Sequence, residues 1–374
     1  MAKKKAGTDV PSNAVRKPTP KKSFSLNDFK KKIGAETVPS KPLEWIPIDK
    51  ALQEATGMPG VPKGYVTQFR GYSNTGKSTA LMKTIVNAQK MGILPIIIDT
   101  ENNIDEGNER LTLMGFDWDG NYILVKNKFL LENFGDSKVR KEASIEDMAK
   151  AIFYFLDQQE AGNLEFDLLF AIDSIGILNC NKTILGLEND GTSNNMWNAA
   201  AYERSFLSML NNVIPNSRRT DSPFINTMAV VQKVWLDNMN SVIKNRGGET
   251  FYFGARLIYH FGGIITHGTK RIVATSKKRE LNYGYECKVN IAKNHVNGVS
   301  LQGKIISTPH GFVYPDNIDE YKKKYILYFR NRFEDDSLTS NDLDFKSKDM
   351  DADGNVIIIN DLIERSPSID ENEE

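Results

Sequence analysis

Gly71-Tyr72-Ser73-Asn74-Thr75-Gly76-Lys77-Ser78 is the stretch on which the reading of this chain turns. It matches G-x-x-x-x-G-K-[ST], a loop whose glycines let successive backbone N–H groups turn inward around a phosphate. Lys77 then reaches the β- and γ-phosphates as a point charge, and Ser78 becomes a ligand of Mg²⁺. The flanks have the periods that the motif needs. Tyr65–Phe69 reads as a strand before the loop, while Leu81, Ile85 and Ala88 recur at i, i+4 and i+7 after it, with Gly92 as a stop. A strand, a glycine loop and a helix N-terminus in succession make an anion site, so the expected ligand is ATP, cradled by Gly71–Thr79.

The same alternation continues outward. Leu94–Asp99, Asp167–Asp173 and Thr227–Val231 read as buried strands, and Ser144–Gln159 and Ala199–Val213 as helices. This pattern predicts an α/β fold with a mainly parallel, twisted sheet flanked by helices. Beyond Tyr259 the runs Arg271–Ser276, Tyr283–Ile291 and Gly303–Ser307 lack intervening helices, which predicts an antiparallel extension. A phosphate loop also needs a carboxylate at the end of a buried strand to orient the metal. Leu168-Leu169-Phe170-Ala171-Ile172-Asp173 supplies it, so Ser78 and Asp173 are the expected metal residues. Asp99 and Glu101 follow another apolar strand. Parallel strands bring their C-terminal ends to one edge, so both carboxylates are expected to face the nucleotide, with Glu101 as general base on water.

The 374 residues, 40% apolar and 26% charged, suit one large α/β domain with appendages or two domains. Lysine plus arginine equals aspartate plus glutamate at 48 each, yet the charge is unevenly spread. Residues 1–33 carry a net +8 and residues 334–374 a net −11, a layout common in proteins that meet nucleic acid. Residues 1–22 hold almost nothing to bury and are expected to be disordered, and Ser25 to Asp28 reads as the start of a short helix through Lys32. Two cysteines, Cys180 and Cys287, make no disulfide framework or metal spacing and read as reduced thiols. The basic N-terminus is followed by no apolar signal region, and no run approaches the ~18 apolar residues of a membrane span. Asp349–Gly354 resembles the start of a calcium loop, but Asn360 stands at its twelfth position, so a turn before a strand at Val356–Ile359 is the better reading.

Several short motifs accompany the loop in a fixed order. They are Trp45–Leu52, Gly57–Gly64, Asp99-Thr100-Glu101, Ile172-Asp173-Ser174, Val230-Val231-Gln232, Arg246-Gly247-Gly248 and Lys293-Asn294. In that order they resemble the core of the RecA-family DNA strand-exchange recombinases over about residues 45–314, and the size and acidic tail are similar to a phage-encoded, UvsX-type relative. The resemblance implies a RecA-like P-loop ATPase core at 45–315. It would follow a basic arm with a short polymerisation helix at 1–44 and precede a small region with an acidic tail at 316–374. It implies a DNA-dependent ATPase using ATP and Mg²⁺. Such a protein forms a helical homo-oligomeric filament on single-stranded DNA and pairs that strand with homologous double-stranded DNA. It would act in the cytoplasm, the host's if phage-encoded, with single-strand-binding and mediator proteins as partners.

Roles carry over by position. Glu101 would activate water, Gln232 would sense the γ-phosphate, Lys293 would reach a neighbouring subunit's γ-phosphate, and Asp105 would lie near the adenine. Lys233–Gly248 would be the second DNA-binding loop, with Lys233, Lys244, Arg246, Gly247 and Gly248 at the DNA, and about Leu187–Asn198 the first. Two positions depart from the family. His295 replaces a second lysine, and Asn108 stands where the family stacks a tyrosine on the adenine. Two other readings fit the residues: a hexameric helicase-like motor of the same superfamily, and an ATP-binding DNA-coating or mediator protein with little turnover.

Overall fold

The computed structural model describes residues 25–32, 41–191, 195–213, 223–237, 242–245, 250–262, 269–277 and 279–350. The chain divides into two compact units, Met1–Pro39 and Ser40–Glu374. In the first, helix α1 (Leu26–Lys32) begins where Ser25 Oγ accepts the Asp28 N–H at 3.3 Å, as the Ser25 start signal predicts. The readings of residues 1–22 and Val356–Ile359 lie outside the described residues.

The second unit is organised by one large sheet. In chain order its strands and their satellites are β1 (Trp45–Pro47), β2 (Gly60–Pro62), β3 (Val66–Gly71), β4 (Leu94–Asp99), β5 (Ile123–Lys126), β6 (Leu168–Asp173) and β7 (Thr227–Asp237). Then follow β8 (Val242–Asn245), β9 (Leu257–Phe261), β10 (Lys270–Ser276), β11 (Arg279–Asn294), β12 (Gln302–Thr308), β13 (Gly311–Val313) and β14 (Asp344–Asp349). The spatial order is β13-β12-β11-β9-β3-β7-β6-β4-β5. From β9 to β5 every pairing is parallel, and from β9 outward through β11, β12 and β13 every pairing is antiparallel. The α/β architecture with a late antiparallel extension is the one that the sequence pattern predicts.

The helices of this unit are α2 (Lys50–Thr56), α3 (Lys77–Lys90), α4 (Glu109–Leu113), α5 (Asn127–Phe134), α6 (Ile145–Glu160) and α7 (Asn181–Asp190). They continue with α8 (Asn195–Val213), α9 (Thr250–Gly254), α10 (Ile318–Lys324) and α11 (Ile326–Phe333). Helix α3 buries Leu81, Ile85 and Val86 with Ile97, Leu169 and Ala171 on one face of the sheet. Helix α6 buries Met148, Ile152 and Phe155 with Ile96, Ile98, Phe170 and Ile172 on the other. With both faces covered, β4 and β6 are buried at every position, and this is why they read as unbroken apolar runs. Ser144 caps α6 with a reciprocal box, Ser144 Oγ accepting the Asp147 N–H at 3.2 Å and Asp147 Oδ2 the Ser144 N–H at 3.0 Å.

Several local expectations change. The Leu187–Asn198 stretch is largely helix, because α7 reaches Asp190 and α8 begins at Asn195. Its asparagines and glycines suggest a loop, but Ile184 and Tyr202 anchor the two helices in the core. Strand β7 runs on to Asp237 and pairs antiparallel with β8, so Lys233–Gly248 is in part a β-hairpin. Phe129–Lys141, which matches nothing in the family, begins inside α5. Helices α10 and α11 place Tyr321, Phe329 and Phe333 in one cluster with Tyr283 and Ile306 of the extension. No described helix is long and apolar enough to cross a membrane.

Candidate functional site

Strand β3 delivers the chain into the glycine loop, and α3 receives it. Gly76 sits at φ +102°, and a Cβ there would meet Phe312 Cε1 at 3.0 Å and Ser307 Cβ at 3.1 Å. A Cβ on Gly71 would meet the Phe261 carbonyl oxygen at 2.2 Å, so neither glycine accepts a side chain without displacing backbone or core. Thr75 Oγ1 donates to the Tyr72 carbonyl at 2.8 Å, and Lys77 Nζ donates to the same oxygen. Cys287 Sγ supports the loop from below, donating to the Thr75 carbonyl at 2.9 Å; burial pushes that thiol up to about 12. It is structural. Thr79 Oγ1 lies 2.7 Å from Ser307 Oγ and accepts from Arg110 Nη2 at 2.6 Å.

The strand register assembles the rest. Gly71 pairs with Lys233, and Arg70 with Gln232, so Gln232 ends up beside the entrance of the loop. On the far side of β7, β6 carries Asp173 to the same edge, and Asp99 pairs with Asp173. The Ser78 hydroxyl stands beside the Asp173 carboxylate and helps hold its pKa down, and Asp173 Oδ1 is buried with no hydrogen-bond partner. Burial and the neighbouring Glu101 raise Asp173 to about 6. Lys77 is lowered to about 8 by burial, a loss that Asp173 and Glu101 partly offset and Lys233 deepens. A buried cation, a hydroxyl–carboxylate pair and an oxygen lone pair left unused suit a phosphate with a hard cation such as Mg²⁺. Among the described residues no group of three or more His, Cys, Asp or Glu could hold a metal ion.

Glu101 is at the rim. Its Oε1 accepts from Ser174 Oγ at 2.5 Å and its Oε2 from Asn103 Nδ2 at 2.9 Å. Asp99 does not face the nucleotide as expected. Its Oδ1 and Oδ2 accept the Asn103 and Ile104 N–H groups at 3.1 and 2.7 Å, so this carboxylate shapes the turn that presents Glu101. Thr100 ties that turn to β6, its hydroxyl donating to the Ser174 carbonyl at 2.6 Å.

Other expected residues lie apart. Asp105 pairs with Lys126, and Asn108 Oδ1 caps α4 by accepting the Leu111 N–H at 3.2 Å. Lys293 is level with Ile258, which is level with Gln68, three positions before Gly71 and two strands away. At ~3.3 Å per residue along a strand, it stands about 10 Å back from the phosphate edge. Its Nζ donates to the Tyr252 and Phe253 carbonyls at 2.7 and 2.8 Å, and burial, then Arg256, keeps it below the ordinary lysine range. Of Phe251-Tyr252-Phe253, the first is core and the last is exposed. Lys233 is exposed, whereas the Lys244 side chain and Arg246, Gly247 and Gly248 lie outside what is described.

An open cleft of about 380 Å³ lies at this edge, lined by Asn74–Thr79 and Arg110 together with Tyr283, Gly284, Tyr285, Ser307, Thr308 and Pro309. Arg110 and Tyr285 escape sequence reasoning because each belongs to no motif; only the pairing of β11 with β12 and the packing of α4 bring them here.

Residues 28–124 match the family model of the RecA N-terminal domain. Over this segment the chain is similar to the RecA family. It is 31% identical over 105 residues to Protein RecA of Aquifex aeolicus, a match covering 28% of each chain. It is 32% identical over 106 residues to Protein RecA of Aquifex pyrophilus, covering 26% of this chain and 30% of that one. With Protein RecA of Thermotoga petrophila the identity is 38% over 74 residues, 20% of each chain. The matched segment is thus less than a third of the length of these RecA relatives. It holds the phosphate loop and Glu101, while Asp173, Gln232 and Lys293 lie beyond the RecA N-terminal domain.

Proposed function

We propose that this protein is a RecA-family, DNA-dependent ATPase that assembles as a helical filament on single-stranded DNA and pairs it with homologous duplex in the cytoplasm. The observation that carries this reading is the convergence of Lys77, Ser78, Asp173, Glu101 and Gln232 on one sheet edge. ATP phosphates rest on the inward N–H groups of Gly71–Ser78 and on Lys77. Ser78 and Asp173 hold Mg²⁺, which neutralises developing phosphate charge when bound. Glu101, oriented by Ser174 and Asn103, accepts the proton of the attacking water. Gln232 begins the stretch of β7 that leads directly into the β7–β8 hairpin. A side chain that touches the γ-phosphate therefore shares a strand with Lys233, and the paired strand β8 carries Lys244. Arg246, Gly247 and Gly248, the other proposed DNA contacts, follow in the sequence. Lys293, set back from its own phosphate edge, serves the neighbouring subunit.

Electron microscopy with ATP, Mg²⁺ and single-stranded DNA, beside an ATPase assay, tests this. Helical filaments with DNA-stimulated hydrolysis are expected. Closed rings would favour the helicase-like motor, and DNA coating without turnover the mediator reading; either result overturns the proposal.

A further inference from the structure

A nucleotide whose phosphates rest on Lys77 must place its base away from the loop by the length of a ribose. The cleft that the loop lines is also lined by Tyr283, Gly284, Tyr285 and Pro309. The position at which the family's aromatic residue would stand is committed elsewhere: Asn108 caps α4 and also donates from Nδ2 to the Asn103 carbonyl at 3.1 Å. Tyr283 is committed too. It is buried, with its hydroxyl 2.9 Å from His310 Nδ1 and its ring among Phe329 and Phe345.

Tyr285 is the aromatic side chain that remains. It is half-buried and lines the cleft. Its cross-strand partner Arg271 places a guanidinium 5.0 Å from the ring centroid, which braces the ring electrostatically. Tyr285 pairs across the strands with Ser307, whose Oγ lies 2.7 Å from Thr79 Oγ1 of the loop, and Thr79 also accepts from Arg110, so the ring stands beside the phosphate loop. The backbone beside it has no freedom: a Cβ on Gly284 would meet the Ser307 carbonyl oxygen at 2.2 Å. The ring is therefore carried on a strand held closely to its neighbour β12, which lines the cleft beside it.

We propose that Tyr285 supplies the aromatic surface on which the base of the bound nucleotide stacks, in place of the ring that position 108 lacks. This inference rests on the reading of the phosphate loop as a nucleotide site. Base binding then comes from the antiparallel extension. Because every base has a π-face, Tyr285 adds affinity with little choice among purines.

Titration calorimetry of the full chain with Mg²⁺ separates base from phosphate by using ADP and inorganic tripolyphosphate as probes. Tyr285→Ala should weaken ADP by about 5- to 150-fold and leave tripolyphosphate unchanged. Tyr285→Leu, which keeps the bulk of the side chain, should behave as the alanine variant does, and decides the matter if that variant fails to fold. Tyr285→Phe should restore ADP affinity. Unchanged ADP affinity in Tyr285→Leu, or equal losses for both probes, would overturn the stacking role while leaving the nucleotide site intact. A wild-type chain that binds neither probe would overturn the nucleotide site and the stacking with it.

Discussion

In the parallel half of the sheet the residues of the site stand at strand ends: Gly71 closes β3, Asp173 closes β6, and Glu101 follows β4 by two residues. In the antiparallel half, Tyr285 and Lys293 lie within one 16-residue strand and serve different neighbourhoods, because its partners change along its length and its pairing with β9 shifts between Ile291 and Lys293. Parallel strands gather chemistry at one edge by construction, since every C-terminus leaves on the same side. An antiparallel strand gathers nothing until its pairing is set. Strand β11 pairs first with β10, then β12, then β9, so one segment serves three neighbourhoods. On the proposed function the parallel half would supply the phosphate chemistry and the extension the contacts that tune it.

That division can be broken first at the edge. Glu101→Gln should retain ADP binding and lose turnover by about 10²- to 10⁴-fold, the usual worth of a general base. Unchanged ATPase would place the base elsewhere. Lys77→Ala should lose nucleotide affinity on the order of 10³-fold, because truncation leaves the phosphates without their buried cation. Calorimetry showing near-wild-type affinity would remove the phosphate loop from the site.

The extension is tested by Lys293→Ala. In dilute protein without DNA, ADP affinity should stay the same, while DNA-stimulated ATPase falls on the order of 100-fold. Loss of ADP affinity in the isolated chain would mean that Lys293 serves its own loop after all.

The pH dependence sharpens the electrostatics of the edge. Below about 6 Asp173 takes up a proton and would no longer serve the proposed metal, and above about 8 Lys77 loses its proton and its charge. A plot of kcat/KM against pH, which reports the free protein, should be bell-shaped with limbs near those values. A flat profile from pH 5 to 9 would show that neither group titrates there. The smallest effect concerns the extension's own packing. Burial lowers His310 to about 4 from its ordinary 6.5, so the unfolded chain binds a proton in that window and the folded chain does not. Stability should therefore fall as pH drops from 6.5 toward 4, and His310→Gln should flatten this slope in thermal melts.

Much of the parallel half was legible in the residues themselves. Strand β4 runs over Leu94–Asp99 as its apolar run predicts, and β6 follows the same rule within one residue. Legibility failed where a polar residue had two local uses. Asp99 and Glu101 look equivalent as carboxylates after a buried strand, yet the first is spent on backbone N–H groups and only the second meets Ser174. It failed again at Leu187–Asn198, where loop-forming residue types are overridden by the burial of Ile184 and Tyr202.

What the sequence alone determined is the phosphate loop, the buried strands that lead to it and to Asp173, and the switch from alternating strand and helix to strands without helices. These follow from local rules: a glycine that must lack a side chain, a strand buried on both faces, a helix with one apolar stripe. Only the tertiary structure decided that Gln232 stands beside the entrance of the loop, that Lys293 stands back from it, and that Tyr285 closes the cleft. Each of those placements depends on which strands pair and in what register. Register is set by side chains meeting across the whole sheet, and no stretch of sequence contains its own partner.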